Sequence, residues 1–84
     1  MKNTTIKPSF DMHGMDKEYG HLALLEFIRD AKKMKVKEII IIHGVGKGIL
    51  RKMVIDTLRK HKDIEEYHID FYNPGSTIAK LKID

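Results

Sequence analysis

Four isoleucines in succession, Ile39–Ile42, run straight into His43-Gly44-Val45-Gly46-Lys47-Gly48 and then into a helical pattern. An unbroken β-branched run marks a strand that is covered on both faces or central in its sheet. The alternate glycines allow positive φ and close approach of backbone. Leu50, Met53, Val54 and Leu58 then repeat at i, i+3, i+4 and i+8, the period of a helix. The middle of the chain is therefore a strand, a glycine-rich turn and a helix.

The periods keep alternating on either side. Ser9–Met12 places Phe10 and Met12 between polar neighbours, a short strand. Asp16 is a helix N-cap, and Leu24, Phe27, Ile28 and Ala31 at i, i+3, i+4 and i+7 predict a helix ending near Lys35. Tyr67, Ile69 and Phe71 alternate with His68 and Asp70, and after an Asn73-Pro74-Gly75 turn Ala79, Leu81 and Ile83 alternate with Lys80 and Lys82. The order is β-α-β-α-β-β. Right-handed crossovers put both helices on one face, and the last connection suits an antiparallel hairpin. The expected fold is an α/β two-layer sandwich on a mixed four-stranded sheet. Residues 1–7 read as a flexible tail and residues 8–84 as a single domain.

Eighty-four residues can bury roughly 64% of their unfolded surface, enough for one modest core. The absence of cysteine excludes a disulfide framework, a thiolate zinc site and a cysteine nucleophile. No wholly apolar run exceeds four residues, too few for a membrane-spanning helix or a signal-peptide core, so the expected location is cytoplasmic. Sixteen basic against twelve acidic residues leave a net charge of +4, which permits a polyanionic partner without requiring one.

In open α/β sheets ligands gather beyond the C-terminal ends of the parallel strands. Two segments fall there: Asp11-Met12-His13-Gly14 and the His43–Gly48 loop. The helix after Gly48 offers unpaired N–H groups, and Lys47, Arg51 and Lys52 add positive charge that can pair with phosphate. The spacing is neither that of a Walker A loop nor that of a dinucleotide fingerprint, so no ATP or NAD site is expected. His-Gly follows both parallel strands, which brings two imidazoles and Asp11 to one edge. A carboxylate orienting an imidazole beside a cationic phosphate cradle is the apparatus of acid–base phosphodiester cleavage. Either His13 or His43 is the proton carrier; Asp11 orients the imidazole or holds a divalent metal. His21, His61 and His68 are expected to be solvated, as is the basic run Lys32–Lys37. The methionines are expected to fill the core. Tyr19 and Tyr72 are expected to be packed, with base stacking the alternative for either one if exposed beside the glycine-rich edge.

Asp11-x-His13-Gly14, then Ile41-Ile42-His43-Gly44-x-Gly46-x-Gly48-x-Leu50-Arg51, then Gly75-Ser76-Thr77-Ile78 together resemble the small MutS-related (Smr) domain family over about residues 9–83. The resemblance implies a fold like the C-terminal domain of a bacterial translation initiation factor. It also implies binding of DNA or RNA and, in several members, a nicking or RNA-cleaving endonuclease activity. Such domains occur alone or at the C-terminus of MutS-type proteins that suppress homologous recombination, so a larger chain is among the expected partners. By position, Asp11 and His13 match the first motif's functional pair. Gly14, His43, Gly44, Gly46, Lys47 and Gly48 match the nucleic-acid-facing segments, with Gly75 and Thr77 in the closing motif. Three departures stand out: Met12 for the family's Leu, Tyr19-Gly20 for its Glu-Ala, and Tyr72-Asn73-Pro74-Gly75 for its Gly-Gly-x-Gly. The alternative from another class is a non-catalytic nucleic-acid adaptor or a protein-interaction module of a repair or ribosome-associated protein.

Overall fold

The computed structural model describes residues 7–83, so the tail expected over residues 1–7 lies, Lys7 apart, outside the described residues. The elements are β1 (Ser9–Asp11), α1 (Lys17–Lys33), β2 (Glu38–Ile42), α2 (Ile49–Lys60), β3 (Ile64–Asp70) and β4 (Asn73–Leu81). They build a four-stranded mixed sheet in the order β1-β2-β4-β3. β1 is parallel to β2, and β4 lies antiparallel between β2 and β3.

The isoleucine run is central rather than covered on both faces. Ile39 and Ile41 are fully buried, whereas Ile40 and Ile42 on the other side are half-buried. The buried pair packs with Leu24, Ile28 and Ala31 of α1, with Met53, Val54 and Leu58 of α2, and with Ala79 and Leu81 of β4. Both helices thus cover one face, and each large side chain buried there contributes about 1.5–3 kcal/mol. Strand alternation sends Ser9, Asp11, Ile40, Ile42, Ser76, Ile78 and His68 to the opposite, helix-free face.

Local chemistry sets the helix ends. Asp16 accepts hydrogen bonds from the amides of Glu18 and Tyr19 at 3.2 and 3.3 Å, closing the first turn of α1. At the other end Lys35 takes a φ of 58°, while the amide of Val36 reaches back to the carbonyl of Ala31. Gly20, at the end of the first turn of α1, is explained by packing. A Cβ there would lie 2.8 Å from Cε of the wholly buried Met12. The longer side chain at position 12 occupies the space that the missing methyl at position 20 leaves.

Several expectations are corrected. The chain reverses at Phe71-Tyr72, not at Asn73-Pro74-Gly75, which already belongs to β4. Asp70 pairs with Asn73, and the Asp70 carboxylate accepts from the Tyr72 amide at 2.9 Å. Pro74 is tolerated because it falls in the register break between the Asp70–Asn73 and Ile69–Thr77 pairs, where no ladder N–H is needed. His21 is not solvated: it is half-buried and bonds the Thr57 hydroxyl across the helix pair at 3.1 Å. His61 is likewise half-buried and accepts the Asp63 amide at 3.0 Å, whereas His68 is exposed as expected. Within the basic run Lys33, Lys35 and Lys37 are exposed, but Lys32 donates to the Lys82 carbonyl. Met12 and Met53 fill the core; Met34 is exposed. Tyr19 and Tyr72 are exposed rather than packed. Among the described residues no helix is long and apolar enough to cross a membrane.

Candidate functional site

The parallel strands β1 and β2 end side by side, with Asp11 opposite Ile42. Their following residues therefore meet at one edge of the sheet. His13, Gly14, the whole 43–48 loop and Arg51 line a single cleft of about 330 Å³ at this edge. A Cβ on Gly44 would lie only 3.3 Å from that of His13, which measures how closely the two loops approach.

Asp11 and His13 form a tight pair. The carboxylate accepts the His13 backbone amide at 3.1 Å and the ring Nδ1–H at 2.5 Å. The imidazole hydrogen bond, followed by the amide bond, holds the Asp11 carboxyl below the usual aspartate range. With Nδ1 committed as donor, the other ring nitrogen is left to exchange protons. The His13 side chain is 69% exposed, so it can meet a ligand.

His43 is built differently. It is 4% exposed, and both ring nitrogens are engaged. Nδ1 donates to the Gly44 carbonyl at 2.8 Å, while Nε2 lies 2.9 Å from the Thr77 hydroxyl. Thr77 is wholly buried, so it reaches the site through His43 and not by touching a ligand. The Gly75 carbonyl accepts from the amides of both His43 and Gly44 at 2.9 Å. A side chain on Gly75 would strike the Gly44 backbone, with Cβ 3.3 Å from its Cα. The closing motif thus splits into a backbone clamp at Gly75, a buried Ser76 hydroxyl with no hydrogen-bond partner among the described residues, and Thr77 as the anchor of His43.

The cationic side of the cleft is α2. Its N-cap Gly48 has a φ of 83° and supplies no side-chain hydrogen bond, so the first-turn N–H groups remain available to an anion. Among the described residues neither Lys47 nor Arg51 has an acidic partner within ion-pair distance. Lys52 differs, being held by Asp56 at 3.2 Å. Among the described residues no three His, Cys, Asp or Glu side chains converge as a metal-binding group. Of the residues expected at the site, His13, Gly14, His43, Gly44, Gly46, Lys47, Gly48 and Arg51 line this cleft, and Asp11 bonds His13 beside it. Gly75 and Thr77 lie beneath it as partners of His43, and Lys52 lines a separate groove along α2. Phe71 and Tyr72, at the tip of the β3–β4 hairpin, are exposed there too. The alternation that marked Phe71 as a strand residue hid it.

Comparison with known proteins gives a consistent result. The family model of the Smr domain matches residues 10–82. Endonuclease MutS2 of Lactococcus lactis subsp. cremoris is 38% identical over 80 residues, covering 92% of this chain and 10% of the relative. Endonuclease MutS2 of Clostridium tetani is 31% identical over 85 residues, covering 98% of this chain and 11% of the relative. The chain therefore spans about a tenth of the length of these relatives. The crystal structure of the Smr domain of Thermus thermophilus MutS2 matches with a TM-score of 0.86 at 22% identity, covering 89% of this chain and 98% of that one. YdaL, a stand-alone small MutS-related protein from Escherichia coli, matches with a TM-score of 0.84 at 22% identity, covering 88% of this chain and 63% of its own. At that identity the structural likeness speaks for the fold.

Proposed function

The chain belongs to the Smr domain family, and from that premise we propose that it is a nucleic-acid-binding endonuclease domain that cleaves phosphodiesters of DNA or RNA in the cytoplasm. Its relatives of 31–38% identity are named endonucleases, which supports the class of activity. One observation carries the reading to this chain: an exposed imidazole, oriented by a carboxylate at 2.5 Å, opens onto the same cleft as an uncapped helix N-terminus with Lys47 and Arg51.

The division of labour follows from burial and bonding. The free ring nitrogen of His13 moves the proton at the scissile phosphate. Asp11 fixes the tautomer and stabilises the imidazolium that forms. The first-turn N–H groups of α2, Lys47 and Arg51 bind the phosphate and offset the charge that develops on it. His43 positions: through Thr77 and Gly44 it holds the loop in the conformation that presents those N–H groups.

The experiment is a plasmid-nicking and RNA-cleavage assay on the wild type and on His13→Ala, with binding measured on the same preparations. Cleavage that disappears in the variant while binding persists supports the endonuclease. Binding without cleavage in the wild type would turn the same cradle into an adaptor. Equal cleavage by the His13 variant would remove the proposed chemistry.

A further inference from the structure

The two-residue loop between β3 and β4 carries large aromatic side chains where hairpins favour Asn, Asp and Gly. Phe71 is 89% exposed and Tyr72 is 97% exposed, and neither packs on the core. The Phe71 ring is backed by the His68 ring, with centroids 5.9 Å apart. His68 lies on the helix-free face, the face on which Asp11 also sits. Asn73, which pairs with Asp70 beside the loop, is three residues before Ser76, the β4 residue paired with the end of β2. At about 3.3 Å per residue the hairpin tip projects roughly 10 Å beyond the end of β2. Across the sheet, β1 and β3 are separated by β2 and β4, about 14 Å at the usual strand spacing. Along this edge the order is therefore the Asp11–His13 pair, the glycine-loop cradle, and a pair of aromatic rings standing clear of the protein.

We propose that Phe71 and Tyr72 form a base-stacking platform that makes unpaired nucleotides the preferred substrate of this site. The inference rests on the nucleic-acid reading of the edge and names the substrate class. A duplex keeps its internal base faces stacked, so it presents phosphates, sugars and groove edges but no such face for the rings to stack on. A single strand, bulge or loop can lay its backbone on the cradle and its bases on the rings. Stacking is tolerant of sequence because every base has a π-face, so the platform selects for unpaired structure rather than for a sequence.

The test is fluorescence anisotropy with three labelled probes: a short single strand, its blunt duplex, and the same single strand with abasic positions. The proteins are the wild type, Phe71→Ala, Tyr72→Ala, the double Ala variant and Tyr72→Phe, each checked for an unchanged melting curve. The wild type should prefer the intact single strand. Each Ala substitution should weaken that probe about five- to a hundredfold, while Tyr72→Phe keeps its affinity. Duplex and abasic binding should be unaffected by all of them. Single-strand affinity that survives in the double Ala variant, or that falls equally for all three probes, overturns the platform. If the wild type binds none of the probes, the nucleic-acid reading of the whole edge fails with it. Salt-dependent binding indifferent to the rings removes the platform and leaves the cradle standing.

Discussion

The two βα junctions carry the same dipeptide, His-Gly, at the ends of neighbouring parallel strands, and they use it in opposite ways. At the β1–α1 junction His13 is exposed, its partner is a carboxylate two residues back, and the next helix is capped by Asp16. At the β2–α2 junction His43 is buried, its partners are a carbonyl and a hydroxyl, and the next helix is left uncapped by Gly48. One junction exposes its imidazole and closes its helix; the other hides its imidazole and leaves its helix N-terminus open. The two histidines stand one residue apart in register: Asp11 pairs with Ile42, so His43 is level with the buried Met12 and His13 with Gly44, and alternation turns one ring inward and the other outward. Burial and partner chemistry, not residue type, then decide what each imidazole can do.

Substituting the two histidines should produce losses of different kinds. His13→Ala should lower cleavage by about 10²- to 10⁴-fold, the usual weight of a proton carrier, and shift stability by no more than about 0.5 kcal/mol. His43→Ala should do the reverse in kind. Deleting a buried ring that bonds Thr77 and Gly44 should cost about 2–4 kcal/mol in denaturant unfolding, and activity lost by the folded fraction should appear as weakened phosphate binding, because the ring holds the loop. Equal destabilisation by the two would erase the distinction.

A second test probes how the β1–α1 junction is seated. Gly20→Ala brings a methyl against Met12 Cε, so it should fail to deliver the roughly 1 kcal/mol that Ala normally adds to a helix. Combined with Met12→Leu, which withdraws the tip of that side chain, the gain should return. A coupling of about 0.5–3 kcal/mol in the double-mutant cycle is expected, and strict additivity would show that the two positions do not share space.

The cradle is sharpened by salt titration. Lys47→Ala and Arg51→Ala should each reduce the log–log salt slope of duplex-DNA binding by about one. Lys52→Ala should reduce it less, since Asp56 already holds that ammonium.

The smallest effect concerns acid. Asp11 has a depressed carboxyl in the folded protein, so its contribution to stability is present above its unfolded pKa and is lost as pH falls through the folded value. Asp11→Asn should therefore lie slightly below the wild type in stability at neutral pH, with the gap closing in acid. In an NMR titration, His13→Ala should return the Asp11 carboxyl towards its ordinary midpoint, because the imidazole hydrogen bond is the largest cause of the shift.

Sequence by itself determined what depends on near neighbours. The isoleucine run, the Asp16 cap and the Leu24–Ile28–Ala31 stripe express backbone sterics and periodicity within a few residues, and each lies where local pattern put it. The motifs also placed Asp11, His13 and the 43–48 loop at one strand edge, because parallel strands joined by crossovers end together. What tertiary structure decided lies between residues far apart in the chain. Thr77, 34 residues away, and the Gly75 carbonyl seat His43 in the interior, while among the described residues nothing comparable covers His13. The reversal moved from Asn73-Pro74-Gly75 to Phe71-Tyr72 because Gly75 is required beside Gly44, and β4 must already be extended there to deliver its carbonyl. Gly20 sits where Ala would favour the helix by about 1 kcal/mol, and only Met12, brought across the contact by the fold, fills the space a methyl there would need. Local propensity is written in the order of residues, whereas desolvation and close approach are properties of surfaces that exist only once the sheet has brought them together.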